Sequence, residues 1–131
     1  MDFLTILHSI WRWAVLLAAV VALVGALGGW LGQLSPRLAA RRAGTFYTVA
    51  LDVQVVLGLI LWVGKGWYAT PGFFRFEHPT IMLLALVVAH AGQALSRRAE
   101  SPRAAARTVA IATAVSLALV VVGIPGVVRP G

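Results

Sequence analysis

Three histidines are the side chains of this sequence best suited to binding a metal or moving protons. His8 lies near the start of the first long apolar stretch, His78 lies at the start of the third, and His90 follows twelve residues later. Ionisable groups within apolar stretches are costly and usually serve a function. A helix rises 1.5 Å per residue, so His78 and His90 are about 18 Å apart and cannot bind one metal centre.

The elements that must position these histidines are four apolar stretches. Hydrophobic residues make up 60% of the 131-residue chain and charged residues only 11%. About 20 apolar helical residues cross a hydrocarbon core roughly 30 Å thick, and the backbone groups there must be paired within the helix. We therefore predict an all-α, four-helix transmembrane bundle that forms a single domain over residues 1–131. The predicted spans are about 3–34, 45–64, 79–96 and 104–124.

Basic residues predict the orientation of this bundle. Seven of the eleven basic residues fall in two connections that open on one side, namely Arg37, Arg41, Arg42, Arg97, Arg98, Arg103 and Arg107. Under the positive-inside rule that side is cytoplasmic, so both termini lie on the outer, periplasmic side of a bacterial inner membrane. No basic patch is interleaved with stacking aromatic residues, so we expect no nucleic-acid partner.

His8 and His78 begin helices that run in the same direction, so their imidazoles can lie at the same depth. A haem between two helices takes one imidazole from each. Arg12 is four residues after His8 and shares its face of the helix, where a guanidinium matches a haem propionate. We therefore expect one haem b near the outer face, with iron bound by His8 and His78.

Residues of the connection after the second span can complete this site. Lys65 and Arg75 are candidates to hold the second propionate, and Glu77 is a candidate to fix an imidazole tautomer. Met82 lies one turn beyond His78, so a His/Met haem is an alternative. Another alternative is that each histidine only hydrogen-bonds lipid headgroups at the membrane interface.

A second group of polar residues lies deeper in the predicted membrane spans than His8 and His78. Asp52 and His90 sit in antiparallel spans at similar distances from the cytoplasmic side, so their side chains can meet. Such a pair suits a hydrogen-bonded core contact, proton transfer or hydrogen bonding to a quinone. His90 is also a candidate ligand of a second, inner haem, which would require a partner ligand from elsewhere.

Several types of chemistry are excluded or unsupported. The chain has no cysteine, which excludes disulfides, iron–sulfur ligation, thiolate catalysis and thioether-linked haem. No nucleophile–base arrangement or glycine-rich phosphate loop is evident, and the length leaves no room for a separate soluble catalytic domain. We therefore expect no autonomous enzyme.

Short motifs resemble those of small four-helix bacterial membrane proteins described as cytochrome b-like. They are Leu7-His8-Ser9 with Arg12-Trp13, then Gln54-x-x-x-Gly58-x-x-Leu61, and Glu77-His78-Pro79-x-x-Met82 followed by a basic loop. The resemblance implies b-type haem held by histidines, with His8 and His78 at the matching positions. It also implies a further histidine two residues before the glutamine, where this chain has Asp52, which argues against a second haem.

These features together predict a cytochrome b-type electron-transfer subunit. Two imidazole ligands leave no open position on the iron, so the haem would relay electrons. The expected partners are the lipid bilayer and other membrane subunits of a respiratory or photosynthetic assembly, with a quinone as a candidate. The alternatives are a cofactor-free accessory subunit that packs through the glycine-rich first helix, and a proton-pathway component built on Asp52 and His90.

Overall fold

The structure is a computed structural model that describes residues 2–32, 42 and 44–124. Its α-helices are α1 (Asp2–Trp30), α2 (Gly44–Gly64), α3 (Glu77–Arg97) and α4 (Pro102–Gly123), with a short 3-10 helix at Trp67–Ala69. All four α-helices are long and apolar enough to cross a membrane. The prediction of an all-α chain with four potential spans is confirmed. Arg37, Arg41 and the predicted end of the first span at 33–34 lie outside the described residues.

The helix starts follow the positions of the prolines. Helix α3 begins at Glu77, two residues before the predicted start at Pro79. The first four N–H groups of a helix have no intrahelical acceptor, so a proline in the first turn loses no hydrogen bond. At the start of α4, the Ser101 hydroxyl accepts a hydrogen bond from the Ala104 N–H at 3.1 Å, and Pro102 is the first helical residue.

The four helices pack in a ring, each against its neighbours in sequence, with α1 also packed against α4. Small side chains allow the helices to approach closely. Ala18, Ala19, Ala22 and Ala26 of α1 are at most 1% exposed. Ala26 packs with Ala105, Val109 and Ala110 of α4. The small-residue face of α1 is therefore used inside the chain.

A buried chain of hydrogen bonds joins α2, α3 and α4. The Ser116 hydroxyl donates to the carbonyl of Ala85 at 2.8 Å, and the Tyr47 hydroxyl lies 2.7 Å from the same serine oxygen. Because the proton of the Ser116 hydroxyl is donated to the Ala85 carbonyl, Tyr47 is the donor in the bond between Tyr47 and Ser116. Tyr47 and Ser116 are almost fully buried, so these bonds fix the relative positions of three helices at the centre of the bundle.

The end of α1 and the start of α4 meet at one end of the bundle. Gly32, which follows α1, lies against Arg103 near the start of α4, where an added Cβ would be 2.6 Å from a guanidinium nitrogen. The described arginines of this end are all exposed, namely Arg42, Arg97, Arg98, Arg103 and Arg107. The opposite end contains the starts of α1 and α3, and with them His8 and His78.

Candidate cofactor site

A cavity of about 310 Å³ opens in the half of the bundle where α1 and α3 begin. All four helices and the connection between α2 and α3 contribute to its walls. Most of the lining is apolar or aromatic, and the polar lining residues are Thr5, His8, Ser9, Arg12, Gln54 and His78. Sites for small molecules and cofactors are typically about 300–1,000 Å³, mostly apolar, with a few convergent polar groups. This cavity has that character.

His8 and His78 reach the cavity from different helices, α1 and α3. Both side chains line the same cavity. The ring Nδ1 of His78 lies 2.8 Å from the carbonyl oxygen of Gly123. A carbonyl only accepts, so Nδ1 carries the proton and Nε2 keeps its lone pair. His78 is thus held in the tautomer that can bind a metal through Nε2.

His8 is positioned by α2. Its main-chain carbonyl accepts a hydrogen bond of 2.9 Å from the Gln54 side-chain amide. Its ring packs against Gly58, where an added Cβ would lie 3.2 Å from His8 Cε1. The glycine therefore provides the space that the imidazole occupies. His8 Nδ1 is buried and has no hydrogen-bond partner among the described residues.

Two further buried polar atoms on the cavity wall also lack partners in the described part of the chain, namely Arg12 Nε and Gln54 Oε1. The Arg12 guanidinium carbon lies 5.2 Å from the ring centre of Trp13. Buried polar atoms are nearly always hydrogen-bonded, so these atoms are the ones that a molecule in the cavity could pair with. A cationic arginine in apolar surroundings favours a ligand that carries an anionic group.

Aromatic residues of the α2–α3 connection form part of the cavity wall. Trp67 and Phe74 line it and stack with ring centres 5.3 Å apart, and Phe74 also packs edge-on against the His78 ring. The connection is braced by the Trp62 indole, which donates to the Arg75 carbonyl at 2.8 Å. The His78 side of the cavity is thus lined by aromatic rings.

Arg75, Glu77 and Lys65 are not among the lining residues. The side chain of Arg75 is exposed, and its Nε donates to the carbonyl of Tyr68 at 3.1 Å. The hydrogen bond that the sequence assigned to Glu77 is made to His78 by the Gly123 carbonyl. The structure thus gathers His8, Arg12 and His78 around the cavity, whereas the three charged residues named above are exposed.

The structure also brings Asp52 and His90 together, outside the cavity. Asp52 Oδ1 lies 2.7 Å from His90 Nε2, and the two side chains are 40% and 54% exposed. The pair lies on the outer surface of α2 and α3. Met82, by contrast, does line the cavity, and it packs against Gly123.

Gln54 and Gly58 belong to the site, although the sequence did not predict a role for them there. Because they are four residues apart, they share one face of α2. A polar residue and a small residue on the same face of an apolar span indicate a place where another group packs closely. The role of the Gly123 carbonyl could not be predicted from the sequence, because every residue has a main-chain carbonyl whatever its type.

No protein-family model, curated protein or solved structure matches the chain. Within the described residues, no three His, Cys, Asp or Glu side chains are grouped so that they could hold a bare metal ion. A haem brings four ligands of its own and needs only axial ligands from the protein. Two imidazoles, an unpaired arginine nitrogen and an apolar cavity fit that requirement.

Proposed function

We propose that this chain is a cytochrome b-type membrane subunit that relays electrons through one haem b held by His8 and His78. The observation that carries the proposal is the convergence of these two imidazoles, from α1 and α3, on one largely apolar cavity. The hydrogen bond from His78 to Gly123 supports it, because it leaves Nε2 available as a ligand.

Each of the other residues has a role in this proposal. Arg12 would hold a propionate through its buried Nε, and Gly58 leaves room for the His8 ring. Trp67 and Phe74 supply apolar wall next to the His78 ring. A haem held by two histidines would supply one-electron chemistry, so the chain would transfer electrons without activating a substrate.

The setting we propose is the bacterial cytoplasmic membrane, with both termini and the cavity towards the periplasm. The arginines gathered at the opposite end of the bundle support this orientation. Electrons would pass between a quinone or an outer-face redox partner and a larger respiratory or photosynthetic assembly. The motif resemblance to cytochrome b-like proteins supports the same role.

A reduced-minus-oxidised absorption spectrum of the purified chain tests the proposal. We expect a sharp α band in the wild type that disappears in His8→Ala and in His78→Ala. His90→Ala is the matched control, because it removes a histidine that does not line the cavity, and it should keep the band. Circular dichroism of each variant shows whether the helices remain folded.

A folded but colourless wild-type chain would contradict the proposal and favour the cofactor-free accessory subunit. The proton-pathway alternative is favoured by one observation, the hydrogen bond between Asp52 and His90. It predicts that Asp52→Asn reduces proton flux in vesicles while any absorption spectrum is unchanged.

A further inference from the structure

The pair formed by Asp52 and His90 is a polar contact on the outside of a transmembrane bundle. Asp52 lies eight residues into α2, which places it about 12 Å from the basic end of the bundle and well inside a hydrocarbon core of about 30 Å. Both side chains remain substantially exposed, at 40% and 54%. At this depth, an exposed group meets lipid or another protein.

Lipid is a poor environment for this pair. Hydrocarbon offers no hydrogen bonds, and ionisable residues in spans almost always face the protein interior or a water-filled cavity. Helix α3, which contributes His90, has the lowest mean hydropathy of the four spans, and 22% of its apolar segment is buried, against 28% for α1 and 33% for α2 and α4. The least apolar span is thus no more buried than the others, which agrees with a protein partner on its exposed side.

The exposed residues around the pair form a regular packing surface, which we call the Asp52–His90 face. On α2 and α3 the positions follow i, i+3, i+4, i+7 spacing, so each set lies along one side of its helix. The set on α2 is Val49, Asp52, Val53 and Val56, and the set on α3 is Val87, His90, Ala91 and Ala94. Ala91 and Ala94 allow close approach of another helix.

We infer that the Asp52–His90 face packs against the same face of a second copy of this chain, forming a two-fold symmetric dimer in the membrane. The inference is independent of the haem. The hydrogen-bonded pair is a dipole whichever atom holds the proton. A two-fold axis along the membrane normal reverses the in-plane direction of that dipole, so the two pairs meet antiparallel, with each histidine opposite the other copy's aspartate. One surface is therefore complementary to itself.

Cysteine cross-linking in native membranes tests this interface. The chain has no cysteine of its own, so a single introduced thiol gives an unambiguous signal. We expect Ala91→Cys to form a cross-linked species of twice the monomer mass when a lipid-soluble bis-maleimide with a spacer of about 10 Å is added. The spacer is needed because α3 of one copy lies opposite α2 of the other, which places the two thiols about one helix spacing apart and beyond the reach of a disulfide. Ala114→Cys is the matched control, because Ala114 is an exposed alanine of α4 and lies outside the face. It should cross-link about tenfold less, since only random encounters bring its thiols together.

A second variant tests the role of the polar pair. Asp52→Leu combined with His90→Leu, in the Ala91→Cys chain, replaces the pair with side chains that suit lipid, so the monomer should still fold. We expect the cross-linked fraction to fall by about tenfold as the complementary dipoles are lost. Equal cross-linking at positions 91 and 114, no dimer at position 91, cross-links only to other proteins, or a dimer unaffected by the double substitution would each overturn the inference.

Discussion

The proton on His78 Nδ1 is held by a carbonyl group that α4 itself leaves unpaired. Gly123 is the last residue of α4, and the last four carbonyls of a helix have no intrahelical donor. The partial negative charge at a helix C-terminus also favours a neighbouring N–H donor. A main-chain acceptor thus orients the ring, so no side chain substitution at Gly123 removes the acceptor itself.

Arg12 is expected to contribute directly to haem affinity. We expect Arg12→Gln to weaken haem binding by about tenfold to a hundredfold, since a hydrogen bond to a charged group contributes about 1.5–3 kcal/mol. Arg12→Lys should lose less, because it keeps the charge but not the paired geometry of a guanidinium. Haem titration of the apoprotein in detergent measures the affinity.

Arg75→Gln is the control for that experiment. Arg75 carries the same charge but is exposed and outside the cavity lining, so its substitution should change haem affinity by less than about twofold, as for a solvent-screened charge. Equal losses for both variants would show that Arg12 acts through overall charge and not through contact with the ligand.

Gly58 gives the second prediction. Even a Cβ there would lie 3.2 Å from the His8 ring, so Gly58→Leu should displace the imidazole and fill part of the cavity. Helix α2 should remain intact, because leucine favours helix more than glycine does. We expect haem content after purification to fall to background while helical circular dichroism is retained. A leucine variant with full haem content would place the ligand elsewhere.

At the scale of the helices, the sequence predicts the length of each helix well, but not how each helix is rotated about its own axis. The spans were predictable because hydrocarbon thickness sets the number of apolar residues, and the observed ends differ by a few residues. That Asp52 and His90 can meet followed from counting residues along antiparallel helices. Their exposure did not follow, because depth does not determine how a helix is rotated about its own axis. For the same reason, the contact between Gly58 and His8 required the structure.

The hydrogen-bond chain through Ser116 predicts a coupling between helices. Ser116→Ala leaves the buried Tyr47 hydroxyl without its acceptor, and we expect a loss of about 0.6–2 kcal/mol in the free energy of unfolding. Tyr47→Phe removes the same bond from the other side. Because both substitutions remove one shared interaction, the double variant should be destabilised by less than the sum of the single effects. Unfolding in mixed detergent micelles, followed by circular dichroism, measures all three; additive losses would contradict the coupling.

At the scale of the whole molecule, the two halves of the bundle are packed differently. Towards the basic end, alanines of α1 and α4 bring the helices together around Ala26, Ala105 and Ala110. Towards the other end, the wall contains larger residues such as Leu51, Leu61 and Met82, and the cavity lies between them. Close packing at one end therefore holds the helices while the other end stays open enough for a ligand.

The last prediction concerns which end of the bundle faces the cytoplasm. If the arginine-rich end is cytoplasmic, a cysteine placed at the exposed Ala69, in the α2–α3 connection, is outside, and one placed at the exposed Glu100, in the α3–α4 connection, is inside. A membrane-impermeant maleimide added to intact cells should label Ala69→Cys and leave Glu100→Cys unlabelled. After permeabilisation both should be labelled, which shows that each thiol is reactive. The opposite pattern in intact cells would place the cavity towards the cytoplasm. The redox partner would then be cytoplasmic, and the proposed ligation by His8 and His78 would not be affected.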